Sequence, residues 1–157
     1  MSLYRRILVP VDNSSAAQAG LSAAIALAQD QQATLKLVAV ANEAIKNYAG
    51  GELGWIEPQG LGELIKTDSE ASLDKAEQQA ADAGLTPERE LIVAQDGHVG
   101  RHIVQAAVDW QADLIVIGTH GRQGFSLWLA GSTTETLLHG LSVPLLVVPG
   151  KQADKGD

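Results

Sequence analysis

The chain has 157 residues, 45% hydrophobic and 19% charged, which suits one globular domain with one sizeable core. Eleven Lys and Arg against 19 Asp and Glu leave a net charge of −8, and the only adjacent basic pair is Arg5-Arg6, so nucleic acid is not an expected partner. There is no cysteine, which excludes disulfides, thiol nucleophiles and thiolate metal sites, and no apolar run approaches the ~20 residues of a membrane span. Met1 to Arg6 lacks the long apolar stretch of a signal peptide, so a cytoplasmic location is expected.

In chain order, Tyr4 to Val11 holds Ile7-Leu8-Val9, the signal of a short buried strand. Asp12-Asn13-Ser14 then offers helix caps, and Ala17, Leu21, Ala24, Ile25 and Ala28 recur at helical spacing. Thr34 to Val40 reads as the second strand. Asn42 to Lys66 holds five glycines and no stable period, so a long loop is expected there, either functional or a plain surface excursion. Thr67 to Ala83 reads as the next helix, with capping-box spacing between Thr67 and Glu70 and a stop at Gly84. Glu90 to Ala94 is a third strand, Ile103, Val104 and Ala107 mark a third helix, and Asp113 to Gly118 is a fourth strand. Ser132 and Glu135 have a second capping-box spacing before Leu137, Leu138 and Leu141. Val143 to Val148 is the last strand, and Pro144 within it suggests an edge position or a bulge.

Near-continuous apolar strands alternating with helices predict a single-domain α/β fold. The expectation is an open, parallel, five-stranded sheet with helices on both faces, Rossmann-like in outline. Residues 1–150 would form the domain and residues 151–157 a polar tail.

Ligands of such sheets sit outside the carboxyl ends of the strands, where the strand order reverses. Two ends carry polar residues: Pro10-Val11-Asp12, and Gly118-Thr119-His120-Gly121. The second continues as Gly118-x2-Gly121-x9-Gly131-Ser132-Thr133. Glycines permit tight turns and close approach, and a helix opening at Gly131 would offer free N–H groups and two hydroxyls to an anion. The alternative is two ordinary turns and a glycine that lets a helix pack closely. A Walker G-x4-G-K-[ST] and a G-x-G-x-x-G after the first strand are both absent. Asp12 reads equally as an N-cap. His120 and Arg122 lie inside the glycine loop and either touch phosphates or are solvated. His98 and His102, four apart, can share a helix face, but no third helical ligand accompanies them and no metal site is expected.

At these residues a family resemblance emerges. Arg6-Ile7-Leu8-Val9-Pro10-Val11-Asp12-Asn13-Ser14 resembles the opening strand of universal stress proteins. Gly118-x2-Gly121-x9-Gly131-Ser132, followed by Val143 to Val148, resembles the closing segment of their ATP-binding branch. The resemblance runs from about Arg5 to Val148. It implies that Pro10, Val11 and Asp12, with the backbone of Val40, flank adenine and ribose, and that Gly118 lies against the ribose. Gly121, Gly131, Ser132 and Thr133 would hold the phosphates. Asn13 departs from the glycine often found at its position. The ligand implied is ATP, ADP or AMP, with Mg²⁺, and the assembly a homodimer paired through Val143 to Val148. The function expected is a nucleotide-binding stress regulator. The alternative is a slow ATPase or a self-phosphorylating protein with Ser132 or Thr133 as acceptor. Phosphoryl transfer needs countercharge at the terminal phosphate, and the loop offers only Arg122, so no catalytic residue is assigned.

Overall fold

A strand whose neighbours lie on both sides and both faces must be apolar throughout, and β1 (Arg6–Pro10) meets that demand: Ile7, Leu8 and Val9 are all fully buried. The structure, a computed structural model, describes residues 3–44, 58–119, 140 and 142–150. After β1 come α1 (Ser15–Gln31), β2 (Thr34–Asn42), α2 (Pro58–Asp82), β3 (Glu88–Ala94), α3 (Val99–Trp110), β4 (Leu114–Thr119) and β5 (Leu145–Pro149). The strands form one five-stranded parallel sheet in the order β3-β2-β1-β4-β5.

That order fixes which face each helix covers. β1 to β2 to β3 steps in one direction, and right-handed crossovers put α1 and α2 on the same face. There Ile7, Val9, Leu35, Leu37, Leu114 and Val116 meet Leu21, Ala24 and Ile25 of α1 and Leu73, Ala76 and Ala80 of α2. The next step returns across β1 to β4, so α3 lies on the opposite face. Leu8, Val38, Ile115 and Ile117 pack there against Val99, Ile103, Ala107 and Trp110.

The amino end of the sheet is held by polar contacts. Asp113 Oδ2 and Oδ1 accept from the backbone N–H groups of Arg5 and Arg6, at 2.9 and 3.0 Å. The Arg6 guanidinium stacks 4.1 Å from the centre of the Trp110 ring, while Trp110 Nε1 donates to Glu88 Oε1 at 3.2 Å. Charge, ring and carboxylate thus satisfy one another at the end remote from the predicted site.

Two expectations need correction. α2 begins at Pro58, nine residues before Thr67, and takes up the second part of the expected loop. The capping-box spacing of Thr67 and Glu70 therefore lies inside the helix and caps nothing. Proline at the first helical position is the start signal, since its missing N–H has no helical partner to lose. Gly60 and Gly62 cost helix propensity, and the tertiary environment overrides that cost. Gly62 is buried against the Glu43 carboxyl, whose Cδ would lie 3.4 Å from a Cβ there. Residues 45–57 lie outside the described residues. The other end of α2 falls as expected: Gly84 takes φ +87° and donates to Ala81 O at 2.9 Å, and Leu85 donates to Ala80 O at 3.0 Å. The second correction is at Pro144, which precedes β5 instead of lying in it, its carbonyl accepting from Ile115 N–H at 3.0 Å. β5 is the sheet edge, as Pro144 suggested. The helix expected to open at Ser132, and the tail from residue 151, lie outside the described residues.

Candidate functional site at the carboxyl edge of β1, β2 and β4

The strand order reverses between β1 and β4, and this is where a doubly wound sheet opens a crevice. Register brings the predicted residues to it. Pro10 pairs with Val38, and Val11 N–H continues the ladder to Val38 O at 2.8 Å, so Asp12 leaves the sheet beside Val40. On the other side Leu8 pairs with Ile115. Three residues further along each strand come Val11 and Gly118. Pro10, Val11, Asp12, Val40 and Gly118 therefore gather at the carboxyl ends of three adjacent strands. His120, Gly121, Arg122, Gly131, Ser132 and Thr133 lie outside the described residues.

Asp12 is not the N-cap of α1. Ser14 is: it has φ −83° and ψ 155°, and its hydroxyl accepts from Ala17 N–H at 3.0 Å. The half-buried Asp12 carboxylate accepts from Ser14 N–H at 2.7 Å, an Asx turn that fixes the exit from β1. The carboxylate is thus oriented by the backbone before any ligand arrives.

Gly118 has a structural reason independent of a ligand. A Cβ there would collide with the carbonyl of Ala16 and lie 3.1 Å from Gly20 N; a Cβ on Gly20 would lie 2.7 Å from Gly118 N. Strand and helix backbones touch through this pair of glycines, and the first turns of α1 settle on the end of β4. The close-packing reading of Gly118 is therefore correct for this residue, and it also sets how near α1's amino end lies to the crevice. Gly20 was missed in the sequence. A glycine inside an otherwise helical pattern was the available signal.

Asn13 reads in the sequence as a cap candidate and as a departure from the family pattern, and its partners have no local signal. Its Nδ2 donates to Asp68 Oδ1 at 2.7 Å, and its Oδ1 accepts from Ser72 Oγ at 2.9 Å. Both partners sit on α2, more than fifty residues away. Beside them a cleft of about 390 Å³ runs between α1 and α2, floored by Val11, Ala17, Leu21 and Ala76.

His98 and His102 both meet Asp96. Asp96 Oδ1 accepts from His98 N–H at 2.9 Å and lies 3.1 Å from His102 Nε2. The backbone N–H of His98, then His102, hold the Asp96 carboxyl below the usual carboxylate range. No cluster of three or more metal-ligating side chains occurs among the described residues. Among them, too, no helix is long and apolar enough to cross a membrane.

Comparison with known proteins agrees with this architecture. The chain is 29% identical over 149 residues to universal stress protein MJ0531 of Methanocaldococcus jannaschii, covering 94% of this chain and 83% of that one. A universal stress protein family structure from Burkholderia pseudomallei superposes with a TM-score of 0.75 at 27% identity, covering 96% and 99% of the two chains. The fold is shared at lower identity by two proteins solved with nucleotides. One, from Archaeoglobus fulgidus, is in complex with dAMP (TM-score 0.63, 20% identity, 93% and 98% coverage). The other is in complex with cAMP (TM-score 0.66, 18% identity, 96% and 100% coverage). Residues 3–149 match the sequence pattern of one family, and the chain belongs to the universal stress protein family.

Proposed function

We propose that the protein is an adenine-nucleotide-binding regulator of the stress response, with its ligand at the carboxyl edge of β1, β2 and β4. One observation carries the reading: register and the Asx turn bring Asp12, Val40 and Gly118 together where the strand order reverses. The dAMP and cAMP complexes of two proteins with this fold support the ligand class. In this reading Asp12 and the backbone of Val40 flank the adenosine, and Gly118 admits the ribose. His120, Gly121, Arg122, Gly131, Ser132 and Thr133 take the phosphates.

The residues present fit ATP with Mg²⁺ in one respect. Mg²⁺ in nucleotide sites is held by one or two carboxylates together with the phosphates, so the absence of a carboxylate cage among the described residues is compatible with it. Asp12 is the carboxylate in position. When bound, Mg²⁺ would relieve phosphate charge that this chain, with Arg122 alone in the loop, does little to offset. A sensor needs its nucleotide held, not consumed. Hydrolysis should accordingly be far slower than the ~1–100 s⁻¹ of kinases.

We place the protein in the cytoplasm, as a homodimer paired through β5. Leu146 and Val147 of that edge strand are 40% and 44% exposed, an apolar edge that a second copy would cover. The first test is to heat-denature purified protein, assay the supernatant for adenine nucleotide, and titrate stripped protein with ATP by calorimetry. Saturable binding is expected; heat identical to buffer dilution overturns the reading.

A further inference from the structure

We propose that Asn13 is a positioning residue for the nucleotide site, tying the turn that carries Asp12 to α2. The inference rests on the functional reading above and adds a residue and an element to it. The Asp12 carboxylate accepts from Ser14 N–H at 2.7 Å. The turn containing that bond is anchored through the next residue. The Asn13 carboxamide uses both ends: Nδ2 donates to the Asp68 carboxylate and Oδ1 accepts from the buried Ser72 hydroxyl. Ser72 Oγ also lies 3.1 Å from the carbonyl of Asp68, one turn earlier in α2, so the three residues form one compact knot.

The chemistry makes the knot directional. Asn13 is exposed, and an exposed neutral hydrogen bond would contribute little. Its donor meets a carboxylate, however, and charge-assisted bonds are shorter and stronger than neutral ones. Ser72 is 5% exposed, so losing its partner costs more than losing a solvated one. A glycine at position 13 would remove both side-chain ties from the turn to α2. Through the knot, the position of Asp12 depends on where α2 sits, and by linkage a ligand that engages Asp12 must in turn steady α2.

The test compares the wild type with Asn13→Ala, Asn13→Asp, and the double variant Asn13→Asp/Asp68→Asn. In the single aspartate variant two carboxylates face each other. In the double variant the amide and carboxylate have exchanged places and the bond can re-form with reversed polarity. Two measurements are made: hydrogen exchange without ligand, and ATP affinity by calorimetry. Expected are faster exchange at Ser14 N–H in both single variants and ATP affinity weakened about fivefold or more. The double variant should restore both. In the wild type, ATP should slow exchange around Asp68 to Ser72, and in Asn13→Ala it should not. Unchanged exchange at Ser14 in both single variants overturns the positioning role, whether or not ATP binds. Wild-type and Asn13→Ala affinities that are equal and measurable overturn it while leaving the nucleotide reading intact. Failure of the wild type to bind ATP overturns the nucleotide reading, and the role at the site falls with it. Weakening by Asn13→Asp that the double variant does not reverse also counts against the knot.

Discussion

Gly118 and Asp12 stand side by side at the crevice, and physical argument gives them opposite kinds of consequence. At Gly118 the missing Cβ is occupied space: the carbonyl of Ala16 sits there. Gly118→Ala should therefore force α1 and β4 apart and destabilise the fold by about 1–3 kcal/mol, the range for overpacking, measured by urea denaturation. Asp12→Ala removes an Asx bond to Ser14 at a half-buried site, a loss of about 1 kcal/mol in stability. Its larger effect should be on ligand: ATP affinity should fall at least tenfold, while the melting temperature of the ligand-free protein falls by only a few degrees. Equal ATP affinity in Asp12→Ala and wild type would remove Asp12 from the site. The sequence carried Asp12 and Gly118 as residues of interest because their types and their places after apolar strands were legible. It could not tell the N-cap from the Asx turn, since Asp12 and Ser14 are both good caps and the choice lies in backbone angles. Nor could it pair Gly118 with Gly20, or Asn13 with Asp68 and Ser72, because those contacts exist only once helix and strand are assembled.

Among the elements, strands were the most legible. Long apolar runs located β1, β2 and β4 to within two residues at either end, because burial on both faces leaves no polar position to confuse the pattern. α2 was the least legible. Its first turns contain Pro58, Gly60 and Gly62, which read locally as loop, while packing against the sheet and Glu43 decides otherwise. α3 carries a pH prediction. Asp96, exposed ahead of its first turn, accepts from His98 N–H and faces His102, and its pKa is lowered. A carboxyl with a lowered folded pKa contributes stability that is present above its unfolded pKa and disappears as pH falls through the folded one. Asp96→Asn should therefore narrow the stability difference between neutral and strongly acidic solution. Chemical denaturation across the acid range would check it; an unchanged pH profile would show that the turn holds without the charge.

Among the described residues the sheet ends in two edge strands of different character, β3 and β5. β3 carries Glu88, Arg89 and Glu90, and Arg89 bridges back to Asp74 and Glu77 of α2 at 2.7 and 2.8 Å. Such charge discourages further strand pairing. β5 offers Leu146 and Val147 instead. Leu146→Lys should shift the protein from dimer to monomer in light scattering at micromolar concentration, and a wild type that is already monomeric there would exclude the dimer. Alternation of apolar strands with helices made a parallel sheet covered on both faces legible, while the strand order was not, because it is decided by pairings between residues far apart in the chain.

What the site holds is the central claim, and stripped wild-type protein in a thermal melt tests it most directly. With ATP and Mg²⁺ at about a hundred times the dissociation constant, occupancy of the native state should add about 2.7 kcal/mol, raising the midpoint by several degrees in a concentration-dependent way. A melting curve unchanged at millimolar ATP, in protein shown to carry no residual nucleotide, would contradict the account.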